Sequence, residues 1–414
     1  MDRRSFLIAT GTLALSQLLA GCGGNKNRAL TVKLLKDSLP NQVMNQFQRS
    51  LQKNTELTEL NISVAAKLLD IFKELETWQN KTDTDKLDWR EWLKRKILFW
   101  RSHPKTDLVT LGDFWLKQAI EKKLIQPLDV AKLPEWSALP EEWKKLVTRD
   151  KQGSLDPNGQ VWAAPYRWGS TIIVYRQDKF KENQIKYKNQ NWTPPQDWSD
   201  LWRKELEDSI SLLDHPREVI GLVLKKLGKS YNETNSSYLD SDGLKLELKK
   251  LHKQVKFYDS DKYLEPLLLG DTLVAVGWSH EILPAILQYP TLAAVTPQSG
   301  TSMWADMWVN PSGSQSKQEL LNKWISFFWK PEIARQIAIK TQTNSPIPKK
   351  ISKISASDIQ EPLRKVLLDD SNKSEFLFPL SPDVEKLYQE LFDKMKNART
   401  EKCSENSTNN CLKK

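Results

Sequence analysis

Three short segments of this sequence place carboxylates beside aromatic rings. The first, Leu212-Leu213-Asp214-His215-Pro216-Arg217-Glu218-Val219-Ile220, reads as a strand end passing into a helix. The second, Val276-Gly277-Trp278-Ser279-His280-Glu281, has the same form. The third is Met303-Trp304-Ala305-Asp306-Met307-Trp308, where strand alternation puts Trp304, Asp306 and Trp308 on one face. Ring faces attract cations, so an acid between indoles suits an ammonium group lying on a ring and paired with the carboxylate. A plainer reading exists for each. Asp214 suits a helix N-cap, Pro216 the first turn, and Glu218 a helix start, where the dipole favours negative charge. Asp306 suits a salt bridge among core tryptophans.

Catalytic signatures are otherwise missing. The four histidines, His103, His215, His252 and His280, have no spacing suited to zinc. No Gly-x-Ser-x-Gly elbow or Gly-rich phosphate loop occurs, and 15 glycines leave little room for a dinucleotide fingerprint. Binding is favoured over catalysis, with no cofactor and no metal expected. An exported enzyme has no visible cofactor motif to support it, and a ferric-ion receptor would want an adjacent tyrosine pair.

The elements that must position these groups alternate between strand and helix. Strands are expected at Thr31–Leu35, Asp107–Leu111, Ser209–Leu213, Thr272–Trp278, Leu292–Thr296 and Ser302–Val309. Helices are expected at Gln42–Leu51, Leu68–Trp78, Phe114–Lys123, Arg217–Leu227, Glu281–Gln288, Lys317–Trp329, Pro331–Ile339 and Pro382–Met395. Val161–Tyr175 reads as a long extended segment broken near Gly169, and Lys81–Ser102, with Trp89, Trp92 and Trp100, as an amphipathic helix. Such alternation argues for parallel α/β layers. Two long extended segments, near 161–175 and 302–309, suit strands passing between lobes around a cleft. Ligands in such folds sit at strand ends, where helix N-termini point inward.

The chain begins Arg3-Arg4-Ser5-Phe6-Leu7, continues through an apolar run to Ala20, and reaches Leu19-Ala20-Gly21-Cys22. This resembles a paired-arginine bacterial export signal with a lipoprotein cleavage site. Residues 1–21 would be removed, lipid would attach to Cys22, and residues 22–29 would form a tether. The protein is then expected in the periplasm or otherwise outside the cytoplasm, anchored to the membrane by that lipid. In an oxidising compartment Cys403 and Cys411 are expected to close a small disulfide loop within a polar tail, 398–414. The net charge of +10 suits an anionic membrane surface better than nucleic acid, since the lysines are spread along the chain.

Taken together, Ala164-Pro165-Tyr166-Arg167-Trp168-Gly169-Ser170-Thr171, Leu212 to Ile220, Val276 to Ser279 and Trp304 to Pro311 resemble the bacterial extracellular solute-binding proteins. More narrowly, they resemble the spermidine/putrescine-binding components of ABC importers. Pro331-Glu332-Ile333-Ala334 with Pro346-Ile347-Pro348 resembles that family's closing segment.

The resemblance spans roughly residues 105–348. It implies an α/β, two-lobed periplasmic-binding-protein fold with a ligand cleft between the lobes. Residues 30–171 with 304–354 would form lobe 1, and 172–303 with 355–397 lobe 2. Lobe closure would dock the protein on a membrane permease. Glu218, Trp278, Trp304 and Asp306 fall where the family sets a carboxylate or ring against the ligand, and Phe114 where a tyrosine is usual. His215 stands where an aspartate is usual, with Asp214 adjoining it; Leu35 and Lys36 stand where an aromatic ring and a threonine are expected. These departures favour a small amine or a zwitterion over a long polyamine, with Lys36 or Arg167 meeting an anionic end.

The function expected is a monomeric, lipid-anchored receptor of an ABC importer, binding a small amine-bearing solute. The alternative is an envelope scaffolding lipoprotein that keeps the fold and has lost solute transport.

Overall fold

The computed structural model describes residues 29–52, 59–82, 106–187, 192–314, 318–367 and 373–405. The expected signal, Cys22, most of the Trp-rich segment and Cys411 lie outside them.

Strands β1 (Ala29–Leu35), β2 (Glu59–Ala65) and β3 (Leu108–Gly112) pair in parallel, β1 in the middle. Alternate residues of β1, Leu30, Val32 and Leu34, are fully buried, as the period-two pattern requires. The short strands β4 (Ile125–Gln126), β5 (Thr148–Arg149) and β6 (Gln160–Val161) follow.

Next comes β7 (Ala164–Arg176), 13 residues long. Its first half pairs antiparallel with β12 (Ser302–Pro311), from Trp308↔Ala164 to Met303↔Ser170. Its second half pairs antiparallel with β10 (Val274–Trp278), starting at Trp278↔Thr171, and with β11 (Leu292–Val295). Beyond β10 lie β8 (Ile210–Leu212) and β9 (Val255–Tyr258), both in parallel register. β13 (Glu375–Phe376) pairs with the start of β12. The pairing is therefore mixed, with β7 and β12 the antiparallel members between two parallel groups.

The segment expected to break near Gly169 does not break. Gly169 lies inside β7, and only the partner strand changes, at residues 170–171. The final helix, Pro382–Glu405, runs past Met395 into the stretch expected to be a loose polar tail. Its buried face, Val384, Tyr388, Leu391 and Met395, repeats at helical spacing.

Buried apolar residues form separate cores. One draws on residues 30–166 and 305–347, with Phe376 added. Two others draw on 172–292 and 359–395. No helix among the described residues is long and apolar enough to cross a membrane.

Candidate binding site

The site forms where β7 and β12 run between these cores. Helix Pro216–Lys226 begins beside them, and its N-cap is His215, not Asp214. The His215 ring accepts the Glu218 backbone N–H at Nδ1, 3.4 Å. That bond needs an unprotonated Nδ1. Burial, reinforced by the Arg217 charge, supplies it by pulling the imidazole down to about 4. Pro216 at the first turn lacks an N–H that would be orphaned there in any case.

Asp214 is exposed, and its carboxylate takes the Lys396 ammonium at 2.6 Å.

Glu218, in the first turn of that helix, is 6% exposed. It accepts the Ser302 hydroxyl at 2.6 Å. Burial pushes its carboxyl up, and the Ser302, Thr171 and Trp278 side chains and the Arg217 charge oppose the rise. Arg217 itself turns elsewhere, donating to Phe378 O (3.0 Å), Tyr231 O (3.3 Å) and Asn232 Oδ1 (3.0 Å).

Two residues beyond Ser302, Trp304 lies half-buried over Gly169; a Cβ there would sit 2.3 Å from the indole. His280 meets Trp304 edge-to-face at 4.7 Å and lies nearly parallel to Trp278 at 6.4 Å. Burial drives the His280 imidazole down to about 3, so this ring too is neutral. Trp278 is anchored through its backbone N–H, which donates to the Tyr263 hydroxyl at 3.1 Å. Phe114, 42% exposed, meets the His215 ring at 5.0 Å.

Asp306 has the salt bridge rather than an open carboxylate. Arg167 of β7 donates from Nε and an NH2 group to Asp306 Oδ2, each at 2.7 Å. Both side chains are 3% exposed. Burial pushes the Asp306 carboxyl up, the guanidinium pulls the other way, and two contacts to one oxygen define an ion pair. The same guanidinium lies 6.0 Å from the centre of the Trp304 ring. Behind it, the Asp113 carboxylate accepts the Ala305 N–H at 3.0 Å. Burial pushes Asp113 up to about 7, against this bond and the Arg149 charge.

Trp308 continues the same strand but is wholly core, stacked on Tyr166 at 4.1 Å. Lys36 is exposed at the end of β1, and Leu35 is buried.

Glu218, Trp278, Trp304, Asp306 and Phe114 are thus brought into one neighbourhood, and Asp214 lies beside His215, exposed and paired with Lys396. The sequence reading named His215 only as standing where an aspartate is usual, and did not assign His280 and Ser302 to the site. The two histidines lie inside the acid–aromatic segments and could have been found there; Ser302 carries no signal of its own. Lys36 or Arg167 was expected to meet a ligand's anionic end; Lys36 is exposed and Arg167 is engaged by Asp306.

The architecture is that of a two-lobed periplasmic binding protein. A spermidine/putrescine ABC transporter substrate-binding protein from Streptococcus pneumoniae superposes with a TM-score of 0.69 at 20% identity, covering 90% of this chain and 99% of that one. A periplasmic thiamin binding protein gives 0.53 at 14% identity, covering 91% and 98%.

The chain belongs to the bacterial extracellular solute-binding protein family, whose model matches residues 103–365. A spermidine/putrescine-binding periplasmic protein of Salmonella typhimurium is 28% identical over 306 residues, 71% of this chain and 78% of that protein. A putrescine-binding periplasmic protein of Escherichia coli is 29% identical over 243 residues, 56% and 62% of the two chains.

Proposed function

We propose that this protein is the substrate-binding receptor of an ABC importer and takes a small amine-bearing solute, like the polyamines in its ammonium group. One observation carries the reading. Glu218 is a deeply buried carboxylate with no lysine or arginine in ion-pair contact among the described residues, set beside Trp278 and Trp304. A buried carboxylate is costly without a cation, and an ammonium ligand supplies one. The indole faces cover the ligand's methylenes and favour its charge. The relatives named for spermidine and putrescine support the same class of solute.

In this proposal the lobes are residues 30–171 with 304–354 and residues 172–303 with 355–397. The division of the buried cores supports those bounds, and Phe376 packs into the first core from the second stretch. The two lobes close on the solute and present the closed face to the permease. The signal at residues 1–21 and lipid on Cys22 hold the receptor to the outer face of the membrane, and Cys403 with Cys411 closes the tail.

Calorimetry with a panel of amines and amino acids, including putrescine and spermidine, tests the proposal. Saturable binding of at least one amine is expected, and no heat with any of them overturns it.

A further inference from the structure

The carboxylates around the site differ sharply in what they already hold. Asp306 is bound by Arg167 through two 2.7 Å contacts and is shut from solvent. Asp214 is bound by Lys396 on the final helix. Asp113 is buried, accepts the Ala305 N–H and lies in the field of Arg149. Glu281 lies against Tyr263 and in the field of Lys67. Glu218 lies in the field of Arg217, but among these acids it is the one that is buried beside Trp278, holds a neutral donor, the Ser302 hydroxyl, and makes no ion pair among the described residues. Trp304 already carries one cation near its ring, the Arg167 guanidinium at 6.0 Å. Both histidines lining the site are neutral and add no charge.

We infer that the site has one ammonium position, at Glu218, and selects solutes with a single positive charge over diamines and longer polyamines. This rests on the proposed amine-binding function and narrows it. A second ammonium brought into the aromatic part of the site would find Asp306 already neutralised. It would also face the Arg167 guanidinium, a like charge in a dry setting. Its alternatives are to remain unpaired or to lose its proton, and either costs at least tenfold in affinity near neutral pH. The Arg167–Asp306 pair is thus a specificity device: it fills the place of a second cation with one that belongs to the protein. Removing Arg167 would open that position, because Asp306 would need a new counter-ion.

The test compares n-butylamine with 1,4-diaminobutane, which share a four-carbon chain and differ by one ammonium group. Calorimetry on the full chain at pH 7 should give a Kd for n-butylamine at least tenfold lower than for 1,4-diaminobutane. In R167Q, confirmed folded by circular dichroism and a cooperative melt, the ratio should move at least tenfold toward the diamine. A diamine that binds the unsubstituted protein as tightly as the monoamine overturns the inference and leaves the amine-receptor function standing. An unmoved ratio in folded R167Q also overturns it. If R167Q does not fold, the ratio in the unsubstituted protein decides. Absence of binding by every amine defeats the proposed function and this inference together.

Discussion

At the scale of single residues, the site is governed by which charges are already satisfied. Glu218 and Asp306 are both buried acids near the tryptophans, yet one holds a hydroxyl and the other a guanidinium. Under the proposed function, the difference gives amine binding a pH dependence with a definite sign. Burial raises the free-state Glu218 carboxyl, while a bound ammonium would stabilise its charged form and lower it again. Binding therefore releases protons wherever Glu218 is still partly protonated. Affinity should rise with pH through the raised Glu218 range and level off above it, since alkylammonium groups stay charged well past neutrality. In E218Q affinity should drop at least tenfold and the pH dependence should flatten. Titrations from pH 5 to 8 check both, and an E218Q protein that binds the amine as well as the parent removes Glu218 from the site.

At the scale of elements, the strands and helices that carry the site follow from local pattern. β1, β10, β12 and the helix at 216–226 lie within a few residues of where alternation and Pro216 place them. What local pattern does not carry is pairing at long range. Arg167 and Asp306 lie 139 residues apart and meet because β7 and β12 align them in register, just before a shift at Asp306/Met307. The cap at His215 was hidden for another reason. Residue type favours Asp214, whereas an imidazole accepts only in its neutral form, whose pH range burial widens here.

Gly169 was read as a break because glycine weakens strands, but its role is room. A Cβ at 169 would lie 2.3 Å from both Ser279 Oγ and the Trp304 ring. Gly169→Ala should therefore cost about 1–3 kcal/mol by overpacking and weaken amine binding by displacing the indole. Gly243→Ala, in the helix Asp242–Gln254 with open space around it, should instead add about 0.5–1 kcal/mol through helix propensity. Urea denaturation of the two variants separates these cases. Equal midpoints would mean that the close approach at Gly169 has no energetic weight.

At the scale of the whole molecule, several polar contacts bridge the two sets of cores away from the crossing strands. One joins Lys67, just before the helix Leu68–Thr82 of the first core, to Asp261, in the loop before Tyr263 of another core, at 2.7 Å. The Asp261 hydrogen bond and charge hold the Lys67 ammonium above its usual range, with Asp70 and Asp259 adding to the effect. Glu281, at the start of the helix that carries His280, lies in the same field. Both partners of the bridge are more than half exposed, so its contribution to stability is small and screened by salt. Its effect should fall on the balance between open and closed forms, where a small difference shifts populations without unfolding either core. Lys67→Glu would replace the cation with a further carboxylate among Asp261, Asp70, Asp259 and Glu281. Small-angle scattering should show a larger radius of gyration for K67E at low ionic strength, and amine affinity should fall several-fold. Both differences should shrink as salt rises toward 1 M, where the Debye length is about 3 Å, while the melting temperature stays close to that of the parent. If the loss of affinity does not depend on salt, Lys67 acts through local structure and the bridge has no part in closure.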